Sequence, residues 1–258
     1  MSSRPATISL LAAAVASHLV PSVATVAPVR NQLARRPAAG QVSLTFDDGP
    51  DPESTPQVLA VLAELGVQAT FFVLGERLVR NPEVGRRIAA GEHELAVHGW
   101  THRPHLLRSP LAIQRELQRT VLAIEATTGR AARFWRPPHG IVTGGGLGAG
   151  RLLGLRLALW TADGLDWRRA ATAASIRDRL IARVEPGAVL LLHDSSSFGT
   201  PGSWRRVLRA LPDVVEHCRA RGWPLGPLGA ATRTGPPGAR TSGGQPPARR
   251  GPPRASPG

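Results

Sequence analysis

Short apolar runs alternate along this chain with longer segments in which apolar residues recur at helical spacing. The runs cover residues 42–46, 69–74, 94–98, 133–136, 155–160 and 188–193 and predict strands. Between them, Thr55-Pro56 opens an amphipathic segment that stops at Gly66, Asn81-Pro82 opens one that stops at Gly91, and Ser109-Pro110 opens one that stops at Gly129. Each carries a capping residue, a proline in the first turn and a glycine just past the end, the punctuation of a helix. The third shows Ile113, Leu117, Val121 and Ile124 on one face. Two later helices are expected over 171–184 and 204–221, and a weak final strand near 223–228. Strands and helices in alternation predict an α/β fold on a parallel sheet, and about seven strands favour a barrel over an open doubly wound sheet.

The pattern also divides the chain. Residues 41–230 carry the elements of one domain, within the range for a single core. Residues 231–258 are rich in Pro, Gly, Ser and Arg without apolar periodicity and are expected to be disordered. Residues 1–40 form a lead segment. Arg4, an apolar stretch over 8–20 and Ser22-Val23-Ala24 resemble a signal peptide, while His18 and Pro21 interrupt the run and leave a helical arm as the alternative. Export or a place at the cell envelope is the expectation, with the cytoplasm as alternative.

Composition changes this picture little. The net charge is +14, and all 32 basic residues are arginine. The two flanks hold +9 of that charge, which leaves +5 for the domain, so the basic balance describes tails more than a nucleic-acid surface. No nucleic-acid partner is expected, and a monomer is. The single cysteine, Cys218, excludes an intramolecular disulfide and a cysteine-based zinc site. It falls in a helical pattern and reads as a small buried thiol. No apolar run reaches the roughly 20 residues of a membrane span.

Chemistry gathers at the ends of the strands. Thr45-Phe46-Asp47-Asp48-Gly49-Pro50 places two carboxylates side by side where the first run turns. Neighbours on a strand point to opposite faces, so both acids are tolerable only if the turn brings both into use. His98-Gly99-Trp100-Thr101-His102 puts two imidazoles on one face if the chain enters a helical turn. With Asp48 they make a two-histidine, one-carboxylate set with open positions, the pattern of a catalytic metal site, for which Zn2+ is the first choice and another divalent ion the alternative. Arg136-Pro137-Pro138-His139-Gly140 would set an arginine beside the paired acids. Asp163-Gly164-Leu165-Asp166-Trp167 and Leu190-Leu191-Leu192-His193-Asp194 follow, the last with Leu191 and His193 on one face of a strand. Functional groups at the C-terminal ends of parallel strands are where α/β barrels build active sites.

The ordered set TFDDG, HxxxH, RPPHG, DxxDW and LLLH, from Thr45 to Asp194, resembles the polysaccharide deacetylases, the NodB-like carbohydrate esterases of family four. That resemblance implies a distorted (β/α) barrel of about seven parallel strands, a divalent metal, and removal of N-acetyl or O-acetyl groups from an acetylated polysaccharide such as peptidoglycan or a chitooligosaccharide. It implies Asp47 as general base held by Arg136, and Asp48, His98 and His102 as metal ligands. It further implies His193 as general acid tuned by Asp166, Trp167 and Leu191 around the acetyl methyl, and the His139 backbone N–H at the oxyanion. Two positions depart from the family pattern: Gly99 stands where Ser or Thr often follows the first metal histidine, and His139 where Tyr is common.

Other features read as structural. Gly144 to Gly150 contains a GxGxxA match but follows a proline-rich motif instead of a strand, which favours a flexible loop bordering the site over a phosphate loop. His93 and His105 are expected to be exposed polar residues, and most of the six Trp core. The rival enzyme reading is a NodB-like amidohydrolase acting on a small non-peptide amide. A non-catalytic carbohydrate-binding relative would require loss of Asp47, a metal ligand or His193, and all are present.

Overall fold

A computed structural model describes residues 18, 19 and 40–229. Apart from residues 18, 19 and 40, the expected signal peptide or arm lies outside the described residues, and so does the expected disordered tail. In chain order the domain runs β1 (Ser43–Asp47), α1 (Thr55–Glu64), β2 (Thr70–Val73), α2 (Gly75–Arg80), α3 (Pro82–Ala90), β3 (Glu94–Val97), α4 (Pro110–Thr128), β4 (Phe134–Trp135), α5 (Gly144–Leu152), β5 (Arg156–Leu157), β6 (Ala162–Asp163), α6 (Ala173–Ile181), β7 (Val189–His193) and α7 (Trp204–Ala220). The seven strands form one parallel sheet in the order β5-β4-β3-β2-β1-β7-β6.

That order forces the sheet to curl. β5 and β6 are its two edges, yet only five residue steps separate Leu157 from Ala162. Five steps of extended chain reach about 17 Å. Edge strands of a flat seven-stranded sheet stand roughly 29 Å apart. The connection closes only if the sheet rolls into a barrel with a seam between its edges.

Both faces of the rolled sheet are covered, which is why its strands read as continuous apolar runs. Leu44, Phe46, Phe71, Val73, Leu95, Val97, Leu190 and Leu192 pack outward against the helices. Phe72, Ala96, Phe134, Val189 and Leu191 point inward with Leu159 and Trp160. On β1 the inward positions fall to Ser43, Thr45 and Asp47, by the two-residue alternation of a strand. Cys218 is buried among the outer core residues of α7.

The helix punctuation is used unevenly. Ser109 accepts from the Ala112 amide at the start of α4, and Gly129 closes that helix at φ +67°. Asn81 precedes α3 but its side chain donates to the Arg77 carbonyl instead of capping. The expected strand over 223–228 is reduced to a single parallel bridge between Val42 and Leu225. Pro224 and Pro227 flank it and supply only carbonyls, to Val42 N and to the Gln41 side chain. The seventh strand is instead Ala162–Asp163, paired with Leu190 and Leu191.

The glycine run is a further correction. It is no loop: Gly144–Leu152 is helix α5, with Thr143 accepting from Gly146 N. Helix propensity argues against this, and close packing argues for it. A Cβ on Gly150 would stand 2.5 Å from the Trp135 indole nitrogen, and one on Gly146 would stand 2.9 Å from the same ring system. Glycine is what lets the helix lie on Trp135.

His93 and His105 are buried, against the expectation of exposure. His93 Nδ1 accepts from the Ala69 amide at 3.1 Å, an arrangement that only the neutral ring can make. Burial depresses its pKa from 6.5 to about 4. The unfolded chain therefore takes up a proton below pH 6.5 that the folded chain refuses until about pH 4, and stability falls across that window. The contribution is at most about 3 kcal/mol. Urea midpoints measured from pH 7 to 4 should fall less steeply for His93→Gln, which keeps an acceptor for Ala69; parallel slopes in the two proteins would refute the assignment.

Candidate functional site

Five strand ends converge on one cavity of about 300 Å³. Asp47, Asp48, His98, His102, His139, Trp167, Leu191 and His193 line it together with Gly140, Trp160, Asp163 and Phe198. Arg136 and Asp166 stand behind that lining, both fully buried. The structure thus brings together all ten residues singled out from the sequence.

The paired acids reach the cavity by a change of backbone. Asp47 is the last residue of β1 and points inward; Asp48 follows at φ +82°, a region that costs a non-glycine residue about 1–3 kcal/mol. This twist cancels the strand alternation and turns the second carboxylate to the same side as the first. Arg136 Nη1 donates to Asp47 Oδ1 at 2.6 Å and to Thr45 Oγ1 at 2.9 Å. Its Nε and Nη2 donate to the carbonyls of Ala158 and Leu159, and its guanidinium lies 4.0 Å from the centre of the Phe72 ring. Burial pulls the guanidinium below its usual range, and Asp47 pushes back.

One ligand atom each from Asp48, His98 and His102 lies within 4.8 Å of the others. Asp48 Oδ1 is buried without a hydrogen-bond partner, 3.4 Å from His98 Nε2 and 3.3 Å from His102 Nε2. His98 Nδ1 donates to the Arg136 carbonyl at 3.0 Å, which turns its Nε2 toward the carboxylate. Burial lowers the His102 pKa to about 3, so this ring is neutral. Burial opposes ionisation of Asp48, but contact with His98 and the charge of His193 hold its carboxyl well below the usual range. An orphaned carboxylate oxygen within 3.4 Å of two imidazole nitrogens fits a divalent cation. The two histidines do not meet through a helical turn: residues 98–104 form a bend, opened by Gly99 at φ +102°. That angle gives the departure at position 99 a backbone reason.

Asp47 and His193 are register partners on adjacent strands. Asp166 Oδ1 accepts from His193 Nδ1 at 2.9 Å, and Oδ2 accepts from the His193 amide at 3.1 Å, so the ring is fixed with Nε2 toward the cavity, 4.0 Å from Asp48 Oδ2. Burial would depress the His193 pKa, but the Asp166 charge and hydrogen bond raise it to about 10. The arrangement offers a proton acceptor and a proton donor on either side of a cation-binding cluster. Leu191 and the 41%-exposed Trp167 make the apolar wall, and His139 packs edge-on against His102 with 4.3 Å between ring centres.

Three residues of the site escape sequence reasoning. Thr45 lies in the first motif, and its inward parity on β1 was the available signal. Asp194 adjoins His193 yet faces away from the cavity into the turn after β1. Phe198, 47% exposed, stacks on His102 with ring centres 4.1 Å apart and comes from a Ser/Gly loop with no pattern to announce it.

Comparison with known proteins matches residues 34–158 to the family model described as polysaccharide deacetylase. The chitooligosaccharide deacetylase of Bradyrhizobium sp. (strain ANU 289) is 37% identical over 195 residues, spanning 72% of this chain and 88% of the relative. The peptidoglycan-N-acetylglucosamine deacetylase of Bacillus cereus is 31% identical over 183 residues, spanning 70% of this chain and 64% of that one. The solved family 4 carbohydrate esterase from Streptomyces lividans, in complex with acetate, superposes with a TM-score of 0.66 at 29% identity and covers 72% of this chain and 92% of that structure.

Proposed function

The chain belongs to the polysaccharide deacetylase family, and from that premise we propose that this hydrolase removes N-acetyl groups, with O-acetyl groups as a second class, from an acetylated glycan such as a chitooligosaccharide or peptidoglycan. The observation that carries the reading is the pairing of Asp47 with His193 across neighbouring strands, beside the Asp48–His98–His102 cluster. Two imidazoles and a carboxylate suit zinc, and a divalent ion held there supplies Lewis-acid polarisation of the acetyl carbonyl.

The chain's own groups do the rest. Asp47, oriented by Arg136, accepts the proton of the attacking water. The backbone N–H of His139 stabilises the oxyanion that develops on the carbonyl. His193, protonated through Asp166, gives its proton to the leaving nitrogen as the C–N bond breaks. Trp167 and Leu191 enclose the methyl group. Among the described residues no helix is long and apolar enough to cross a membrane. We place the enzyme, as a monomer, outside the cytoplasm or at the envelope, where glycans of this kind lie.

The decisive experiment measures acetate release from chitin oligomers, peptidoglycan and xylan with added zinc. Release from an N-acetylated glycan, abolished by a chelator and restored by metal, is expected; hydrolysis confined to small amides, or undiminished by chelation, would overturn the reading. The acid also has its own test. His193 must be protonated to donate, so turnover should fall as pH rises through the region of 10. Asp166→Asn removes the charge that raises that pKa and should bring the alkaline limb down by about 1–3 pH units. An unmoved limb in this variant would remove His193 from the role of acid.

A further inference from the structure

Asp194 touches nothing in the cavity, yet it is 1% exposed and fully engaged. Its Oδ1 accepts from the Gly49 amide at 3.0 Å, and its Oδ2 accepts from Thr55 Oγ1 at 2.5 Å. Thr55 Oγ1 in turn accepts from the Asp51 amide at 2.8 Å. The carboxylate therefore clamps both ends of the 49–55 turn, which begins one residue after Asp48. A Cβ at Gly49 would collide with the Asp194 carboxylate, so the two groups have been brought as close as chemistry permits. The Asp194 amide also lies 3.4 Å from the Asp47 carbonyl.

Asp48 needs such a clamp. Its φ of +82° is held by its surroundings and not by its own preference. The carboxylate reaches His98 and His102 only in that conformation, because the extended alternative would send it to the opposite face. The turn is also held by the Leu74 amide on the Gly49 carbonyl, by Asp51 Oδ1 accepting from Glu53 and Ser54, and by Arg205 on Glu53, but of these only the Leu74 bond reaches Gly49, the residue next to Asp48. We propose that Asp194 is a positioning residue: by fixing Gly49 and Thr55 it aims the Asp48 carboxylate, and so sets the affinity of the Asp48–His98–His102 cluster for a divalent cation.

This inference rests on the metal reading above, and the test separates the two. The full chain is stripped with a chelator and titrated with Zn2+ alone, with circular dichroism and thermal melting recorded on each variant. Asp194→Ala should stay folded and bind zinc about 10–100-fold more weakly, the usual penalty for losing a group that orients a ligand. Asp194→Asn keeps an acceptor for Gly49 and a partner for Thr55, and should return affinity to within about threefold of the parent, inside the margin below that penalty. Thr55→Val, which removes its bonds to Asp194 and to the Asp51 amide but leaves Asp194 on Gly49, should fall between them and carries the test if the alanine variant does not fold. Zinc binding at parental strength in a folded Asp194→Ala, or a loss that Asp194→Asn does not repair, overturns the proposal while the metal site stands. An unmodified chain that takes up no zinc overturns the metal reading and the proposal with it.

Discussion

Asparagine in place of Asp47 should cut turnover by about 10²–10⁴-fold, the range a positioned general base contributes, while leaving zinc binding intact. The substitution preserves shape. Arg136 Nη1 can still donate to the remaining carbonyl oxygen, so the side chain stays where it is. What disappears is the second oxygen, which faces His98 Nε2 at 3.8 Å and is the group free to take a proton. The three atoms gathered for the cation come from Asp48, His98 and His102, and Asp47 is not among them. Acetate release with zinc titrated in parallel gives the answer. Activity within tenfold of the parent would move the base elsewhere, and loss of zinc would make Asp47 a ligand.

The largest effect on stability should come from Arg136→Met. It leaves the Asp47 carboxylate buried without its cation and strips the hydrogen bonds on Thr45, Ala158 and Leu159. Removing one partner of a buried pair costs about 3–5 kcal/mol, which for a domain of this size lowers the melting temperature by roughly 10 °C. Two features push toward the upper end: the guanidinium is wholly buried, and it packs on Phe72. The control is the double variant Asp47→Asn with Arg136→Met, which removes the stranded charge and should recover part of the loss. A single variant melting within a degree or two of the parent would show that the pair contributes nothing net.

How far the chain announced all this depends on the kind of signal. Asp47, Asp48, His98, His102 and His193 sit at the ends of apolar runs, where the change from core to chemistry is abrupt, and each lies at the cavity. Helix α4 was marked at both ends, by Ser109 and Gly129, and its bounds follow those marks. The failures are tertiary. Nothing local says that Gly144–Leu152 should be a helix, because the reason is the face of Trp135. Nothing in a two-residue segment marks Ala162–Asp163 as a strand; its partners on β7 make it one. His93 looked like a polar residue in a turn because its hydrogen bond runs to Ala69, 24 residues away. Phe198 belongs to a loop whose course is set by what it touches, and period carries no information there.

The seam of the barrel gives Arg136 a second significance. Ala158 and Leu159 are the residues that carry the chain from one edge of the sheet to the other, and their carbonyls are held by the same guanidinium that orients Asp47. Latch and trigger are one side chain. Parting of the seam would, by the same event, release the carboxylate proposed as the base. Closure of the fold is in this way a precondition written into the chemistry.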